Sequence, residues 1–234
     1  MPSPEPFVPA LIIVDVQEDF CPPSGALAVP DGRAVIPVAN ALLALPFAFK
    51  VATQDSHPPD HVSFASAHPG AAPFSSTTTI ANPNNPAEAY ETRLWPDHCV
   101  ADTPGHAFAA GLDAARAGLV VRKGRDPRVE MYSAFRPPLR DPPLAEADSG
   151  LAAALRARGV TDVYVAGLAG DYCVRHTAED AAAEGWRTYV VEEGVRSVGG
   201  EEAWREVIRE LGGNGVKVVS IGGEEVGWVR GLTQ

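Results

Sequence analysis

Six short apolar runs, separated by helix-like segments, confine this chain to one class of fold. They are Ala10-Leu11-Ile12-Ile13-Val14, the segment 47–53, Leu119-Val120-Val121, Val163-Tyr164-Val165-Ala166, the segment 187–191 and the segment 216–221. Runs this short, apolar on successive residues and rich in β-branched side chains, read as strands buried on both faces. Apolar residues recur at helical spacing over 33–45, and helix is also expected over 105–117, 151–159, 174–184 and 201–211. Strands alternating with helices predict an α/β fold: a single-domain three-layer sandwich with a roughly six-stranded parallel sheet and helices on both faces. No internal repeat or boundary divides residues 1–234, so one domain is expected, with a Pro-rich N-terminus (1–8) and an insertion over about 58–103.

In sheets of this kind ligands bind beyond the carboxyl ends of the strands. Asp15, Asp55, Lys123 and Cys173 stand at or just past four such ends. Singly, each has an ordinary structural explanation: a turn cap, a solvated charge, a small buried hydrophobe. Together at one sheet edge they make a constellation. Cys173 follows Ala166-Gly167-Leu168-Ala169-Gly170-Asp171 and precedes a helical segment, so unpaired N–H groups and the positive helix end converge on it. Asp171 is the expected N-cap of that helix. A cysteine nucleophile needs a base, for which Asp15 is suited, and a neighbouring cation, for which Lys123 is suited. That chemistry is acyl transfer through a thioester. The helix end and Lys123 predict a depressed thiol pKa, opposed in part by Asp15.

The 58–103 segment is rich in Pro, Ser, Thr, Asn and Ala, and a connection this long is uncommon unless functional. Residues 57–103 hold His57, His61, His68 and His98, four of the six histidines. Asp55 and His57, two apart on extended chain, point the same way. With His98 they form a candidate three-ligand site for Zn²⁺, Fe²⁺ or Mn²⁺ that leaves positions open. Ser56 and Asp97 are the nearest candidates in sequence to accept from the far nitrogens of the imidazoles. A formal charge of −11 argues against a nucleic-acid surface. Three cysteines, no cationic leader and no apolar run of about 18 residues predict a soluble cytoplasmic protein, with the nucleus also compatible.

These residues fall in motifs. Ile13-Val14-Asp15-Val16-Gln17-Glu18-Asp19-Phe20, Gln54-Asp55-Ser56-His57-Pro58, Leu94-Trp95-Pro96-Asp97-His98-Cys99, Lys123-Gly124, Tyr132-Ser133-Ala134-Phe135 and Gly167-Leu168-Ala169-Gly170-Asp171-Tyr172-Cys173-Val174 occur in the order seen in nicotinamidases. The chain therefore resembles that family, within the isochorismatase-like cysteine hydrolases, and its long insertion before Trp95 is similar to the eukaryotic form. The resemblance implies a triad of Asp15, Lys123 and Cys173, and one divalent ion, with zinc favoured, on Asp55, His57 and His98. It implies a ring pocket walled by Phe20, Trp95 and Tyr132. It also implies a cis peptide between Leu168 and Ala169, with the N–H groups of Ala169 and Cys173 as an oxyanion hole. The implied activity is hydrolysis of nicotinamide to nicotinate and ammonia, within NAD salvage and pyridine nucleotide biosynthesis. Another small amide, such as pyrazinamide or a ureido compound, is the alternative. The partner expected is the small-molecule substrate, with no nucleic acid and no membrane; a homo-oligomer is compatible. Ser56 departs from the family's usual aromatic at that position, and His61 is expected beside the metal rather than on it. Cys21 and Cys99 are read as structural.

Overall fold

The computed structural model describes residues 2–232; the outermost positions of the 1–234 unit lie outside the described residues. The apolar runs form β1 (Pro9–Val14), β2 (Phe49–Asp55), β5 (Leu119–Lys123), β6 (Asp162–Leu168), β7 (Arg187–Arg196) and β8 (Val216–Val219). They make one six-stranded sheet in the order β5-β2-β1-β6-β7-β8, parallel throughout. Alternate side chains of β1 serve opposite faces. Leu11 and Ile13 join the core beneath α1 (Val35–Leu43) and α5 (Glu224–Arg230). Ala10, Ile12 and Val14 join the core beneath α2 (Leu151–Arg156), α3 (Arg175–Ala183) and α4 (Gly200–Gly213). This is the three-layer arrangement that runs of two-sided apolar residues require.

Strand order reverses between β1 and β6, the two strands that lead into Asp15 and Cys173. That reversal opens the crevice where doubly wound sheets bind ligands. Gly167 permits the close pairing there. It pairs with Val14 at φ +131°, and a Cβ on it would lie 2.0 Å from the Val14 carbonyl oxygen.

Several expectations change. The 58–103 segment contains an antiparallel hairpin, β3 (Thr77–Asn82) and β4 (Asn85–Arg93). The 105–117 segment is not an α-helix but two separate 3₁₀ turns, Pro104–His106 and Ala114–Arg116. Gly111, at φ +91°, lies between them, and a left-handed residue interrupts a helix. Cys173 lies not at the start of α3 but in a π-helical turn, Gly170–Val174, that precedes it. Asp171 does not cap α3: its carboxylate accepts hydrogen bonds from the N–H groups of Val198 and Gly199, at 2.9 and 2.8 Å. Among the described residues no helix is long and apolar enough to cross a membrane.

Candidate active site and metal centre

Lys123, at the end of β5, is fully buried, and its ammonium organises the site. Nζ lies 2.6 Å from Asp55 Oδ1, 2.9 Å from Asp15 Oδ2, 3.4 Å from Cys173 Sγ and 3.1 Å from the Met131 carbonyl oxygen. Burial alone would lower its pKa, but Asp15, Asp55 and Cys173 outweigh burial and hold it well above the ordinary lysine value. It is a permanent cation. Asp15 sits just past β1 at φ +46°. Its N–H donates to Thr53 Oγ1 at 3.1 Å, and the Thr53 hydroxyl donates to Asp15 Oδ1 at 2.5 Å. Asp15 Oδ2 faces Nζ, and the carboxylate also interacts with the Cys173 thiol. Burial, opposed by Lys123 and reinforced by Asp55, pushes Asp15 up to about 6.

The expected depression of the Cys173 thiol pKa is corrected. Burial pushes it well above the ordinary thiol value; Lys123 opposes this, and Asp55 and Asp15 add to it. Two carboxylates and a dry surrounding outweigh one ammonium. The resting group is therefore a thiol beside a base, not a preformed thiolate.

Asp55 turns its second carboxylate oxygen towards His57, with Oδ2 3.8 Å from Nε2. The backbone of Asp55 is clamped by Gln17, whose Oε1 accepts from the Asp55 N–H at 2.8 Å and whose Nε2 donates to the Asp55 carbonyl at 2.9 Å. His98 is delivered by the returning loop: His57 and Val100 form a parallel bridge, and the His57 N–H donates to the Cys99 carbonyl at 3.1 Å. The Asp19 carboxylate holds that return by accepting from the Cys99 N–H at 2.7 Å.

A divalent ion fits these residues. The ligating atoms of Asp55, His57 and His98 all lie within 4.8 Å of one another. His57 Nδ1 pairs with the Gly124 carbonyl at 2.8 Å, which leaves Nε2 buried and without a hydrogen-bond partner among the described residues. His98 Nδ1 likewise pairs with the Pro96 carbonyl at 2.8 Å. Backbone carbonyls thus fix both rings, in place of Ser56 and Asp97; Asp97 instead accepts from the Ser66 hydroxyl. Burial pushes His57 down to about 3, so the ring is neutral and able to ligate. His61 lies against His57 with ring centroids 4.0 Å apart and the planes tilted by 34°, but both its nitrogens are used. Nδ1 accepts from the Ser63 N–H at 3.3 Å, and Nε2 pairs with the Val129 carbonyl at 3.2 Å. Two further groupings meet the same distances: His57, His61 and Glu130, whose His61 nitrogens already have partners, and Asp15, Asp55 and Cys173, which already have their cation in Lys123.

Phe20, Trp95 and Tyr132 line the pocket that holds Asp55, His98, Ala169 and Cys173. The Tyr132 hydroxyl accepts from Trp95 Nε1 at 3.0 Å and pairs with Thr92 Oγ1 at 2.9 Å. The Phe20 ring lies 5.4 Å from that of His98, and the Leu168–Ala169 peptide is cis. Four wall residues were not anticipated from the sequence: Leu27, Tyr172, Val198 and Glu130. Glu130 is a buried carboxylate whose Oε1 accepts from the Met131 N–H at 2.8 Å. It lies in a loop with no periodicity, so only its position between Lys123 and Tyr132 could have drawn notice.

Known proteins share this arrangement of chain. The nicotinamidase of Schizosaccharomyces pombe is 37% identical over 216 residues, covering 92% of this chain and 94% of that one. The structure of a yeast nicotinamidase bound to the inhibitor nicotinaldehyde superposes with a TM-score of 0.83 at 31% identity, covering 91% of this chain and 99% of that one. The pyrazinamidase of Pyrococcus horikoshii in complex with zinc gives a TM-score of 0.69 at 34% identity, covering 91% and 99%. A family model described as the isochorismatase domain matches residues 9–222. That match runs from the first residue of β1 to just past β8, and the chain belongs to the isochorismatase family.

Proposed function

We propose that this protein is a nicotinamidase: it hydrolyses the carboxamide of nicotinamide to nicotinate and ammonia through a thioester on Cys173. The observation that carries the reading is the position of Lys123 Nζ, within 3.4 Å of Asp15, Asp55 and Cys173 together. One ammonium thereby joins a nucleophile and its base to the candidate metal set. The similarity to nicotinamidases over nine-tenths of the chain supports the choice of substrate.

In the first half-reaction the Cys173 S–H proton passes to Asp15, and the sulfur forms a bond to the amide carbon. With a pKa near 6, Asp15 is matched to accept and return a proton near neutral pH. Lys123 stabilises sulfur as it becomes anionic and remains charged throughout. The N–H groups of Ala169 and Cys173 hold the developing oxyanion, a contribution of typically about 100- to 1000-fold per donor. Protonated Asp15 then donates to the nitrogen, the C–N bond breaks and ammonia leaves. In the second half-reaction Asp15 takes a proton from water. The water oxygen attacks the thioester carbon, the C–S bond breaks, and Asp15 passes its proton to the leaving sulfur to restore the thiol.

Asp55, His57 and His98 would hold one divalent ion, zinc being the best match to a His₂-carboxylate set. When bound, the ion supplies a Lewis-acid position for the pyridine nitrogen. Phe20, Trp95 and Tyr132 then orient the ring so that the carboxamide meets Cys173. The experiment compares nicotinamide with benzamide, which lacks the ring nitrogen, by ammonia release with and without a strong chelator. Rapid chelator-sensitive turnover of nicotinamide and poor turnover of benzamide are expected; equal turnover of both would overturn the anchoring role of the metal set.

A further inference from the structure

The pocket that holds Cys173 is almost shut. Its free volume is about 20 Å³, so a substrate ring enters it only by displacing wall side chains. On the other side of its wall lies an open groove of about 760 Å³. Three residues line both spaces: Tyr132, Tyr172 and Val198. Tyr132 is fixed, because its hydroxyl is bonded to Trp95 and Thr92 and its ring stacks on His176 at 5.4 Å. Val198 has its N–H held by Asp171. Tyr172 differs from both. It is partly exposed, and its hydroxyl has no hydrogen bond among the described residues. Its ring packs against both hydrophobic cores and makes edge-on and tilted contacts, with centroids 4.8 Å from Trp95 and 5.3 Å from Tyr132. It also immediately precedes Cys173 in the π-helical turn.

We infer that the Tyr172 ring is the partition between the Cys173 pocket and this outer groove, and that it sets the upper size of the amide accepted. The inference rests on the amidase reading above. The ring occupies the space that a second fused ring on the substrate would need. The groove behind it can receive such a ring. Its mouth carries Arg93, which has no ion pair among the described residues and lies 5.8 Å from the Trp95 ring centroid. A guanidinium beside aromatic walls suits a flat π-system. The class of compound that the groove would take is therefore the fused bicyclic aromatic carboxamide with the amide on a nitrogen-containing ring. One ring's worth of buried contact is decisive, since even a single methylene changes discrimination by roughly 10- to 200-fold.

The test measures kcat/KM for nicotinamide and for quinoline-3-carboxamide in the metal-loaded parent, Tyr172→Ala and Tyr172→Phe. Tyr172→Ala is expected to raise the bicyclic-to-monocyclic ratio by about 10-fold or more. Tyr172→Phe is expected to keep the parent ratio, because the ring and not the hydroxyl forms the wall. An unchanged ratio in Tyr172→Ala, or an equal shift in Tyr172→Phe, would overturn the inference. A second arm needs no turnover: Cys173 is alkylated with iodoacetamide and with a bulky N-arylmaleimide, and labelling is read by peptide mapping. Tyr172→Ala should raise the bulky-to-small rate ratio by a similar factor, and no change would again overturn the partition. If no amide is hydrolysed but this labelling ratio rises, the amidase reading fails and the partition stands.

Discussion

Lys123 is buried between two carboxylates, so removing its charge leaves Asp15 and Asp55 facing each other in a dry interior. Lys123→Met is expected to cost about 3–5 kcal/mol, the range for breaking a buried ion pair by deleting one partner. Urea unfolding would show it, and a loss below about 1 kcal/mol would mean that the carboxylates find protons or water. Cys173→Ala, by contrast, removes only a sulfur beside that pair and should leave a folded protein without turnover. Asp15 supplies the pH signature. It must be ionised to take the thiol proton, and its pKa is pushed up to about 6. kcat/KM should thus rise with pH through a limb near 6 and level off above it, and Asp15→Asn should leave no more than background turnover. A limb near 4, the ordinary carboxylate range, would contradict the role of burial. The residues at the strand ends were legible in the sequence because four chemistry-bearing side chains rarely gather at one sheet edge by accident, although each alone has an ordinary explanation. The direction of the Cys173 shift was not. It depends on how far burial and two carboxylates outweigh one cation, a sum over three dimensions.

Turns between elements hold the candidate metal donors in place, and Gly124 shows how tightly. It follows β5 at φ +66°, its carbonyl fixes His57, and a Cβ on it would lie 2.5 Å from His57 Cε1. Gly124→Ala should therefore displace the ring and weaken divalent-ion binding by about 10- to 100-fold, as loss of an orienting partner does. Competition with a chromophoric chelator measures this, and unaltered affinity would remove His57 from the donor set. The same scale explains what the sequence hid. Strands of the main sheet were legible because burial on both faces leaves unbroken apolar runs. The β3–β4 hairpin was not. Thr77-Thr78-Thr79 and the turn Asn82-Pro83-Asn84-Asn85-Pro86 carry no apolar alternation, and much of the hairpin is exposed. The return of His98 to His57 was hidden as well, because the contacts that close it are backbone bonds to Cys99 and Ala101 and a distant Asp19 carboxylate.

Over the whole molecule, two buried imidazoles, one of them a candidate metal donor, couple proton uptake to stability. Burial holds His57 near 3 and His61 near 4, both below the unfolded value of about 6.5. Between those limits the unfolded chain binds more protons than the folded one, so stability rises with pH and is lost as pH falls from about 6.5. Asp15 has the opposite sign. Its folded value lies above its unfolded one, so it favours folding below about 4 and loses that contribution as pH rises through 6. Two histidines outweigh one aspartate, and the urea midpoint of metal-free protein should fall on acidification from pH 6.5 to 4.5. A bound divalent ion should raise the midpoint and steepen this dependence, because protons compete for the same nitrogens. The most direct test of the central claim is acid quenching of metal-loaded protein during turnover of nicotinamide, followed by mass mapping of its cysteines. A nicotinoyl thioester confined to Cys173, absent from Cys173→Ala and formed fast enough to precede nicotinate, is the result predicted. Nicotinate release with no acyl adduct on Cys173, or undiminished release by Cys173→Ala, would contradict it.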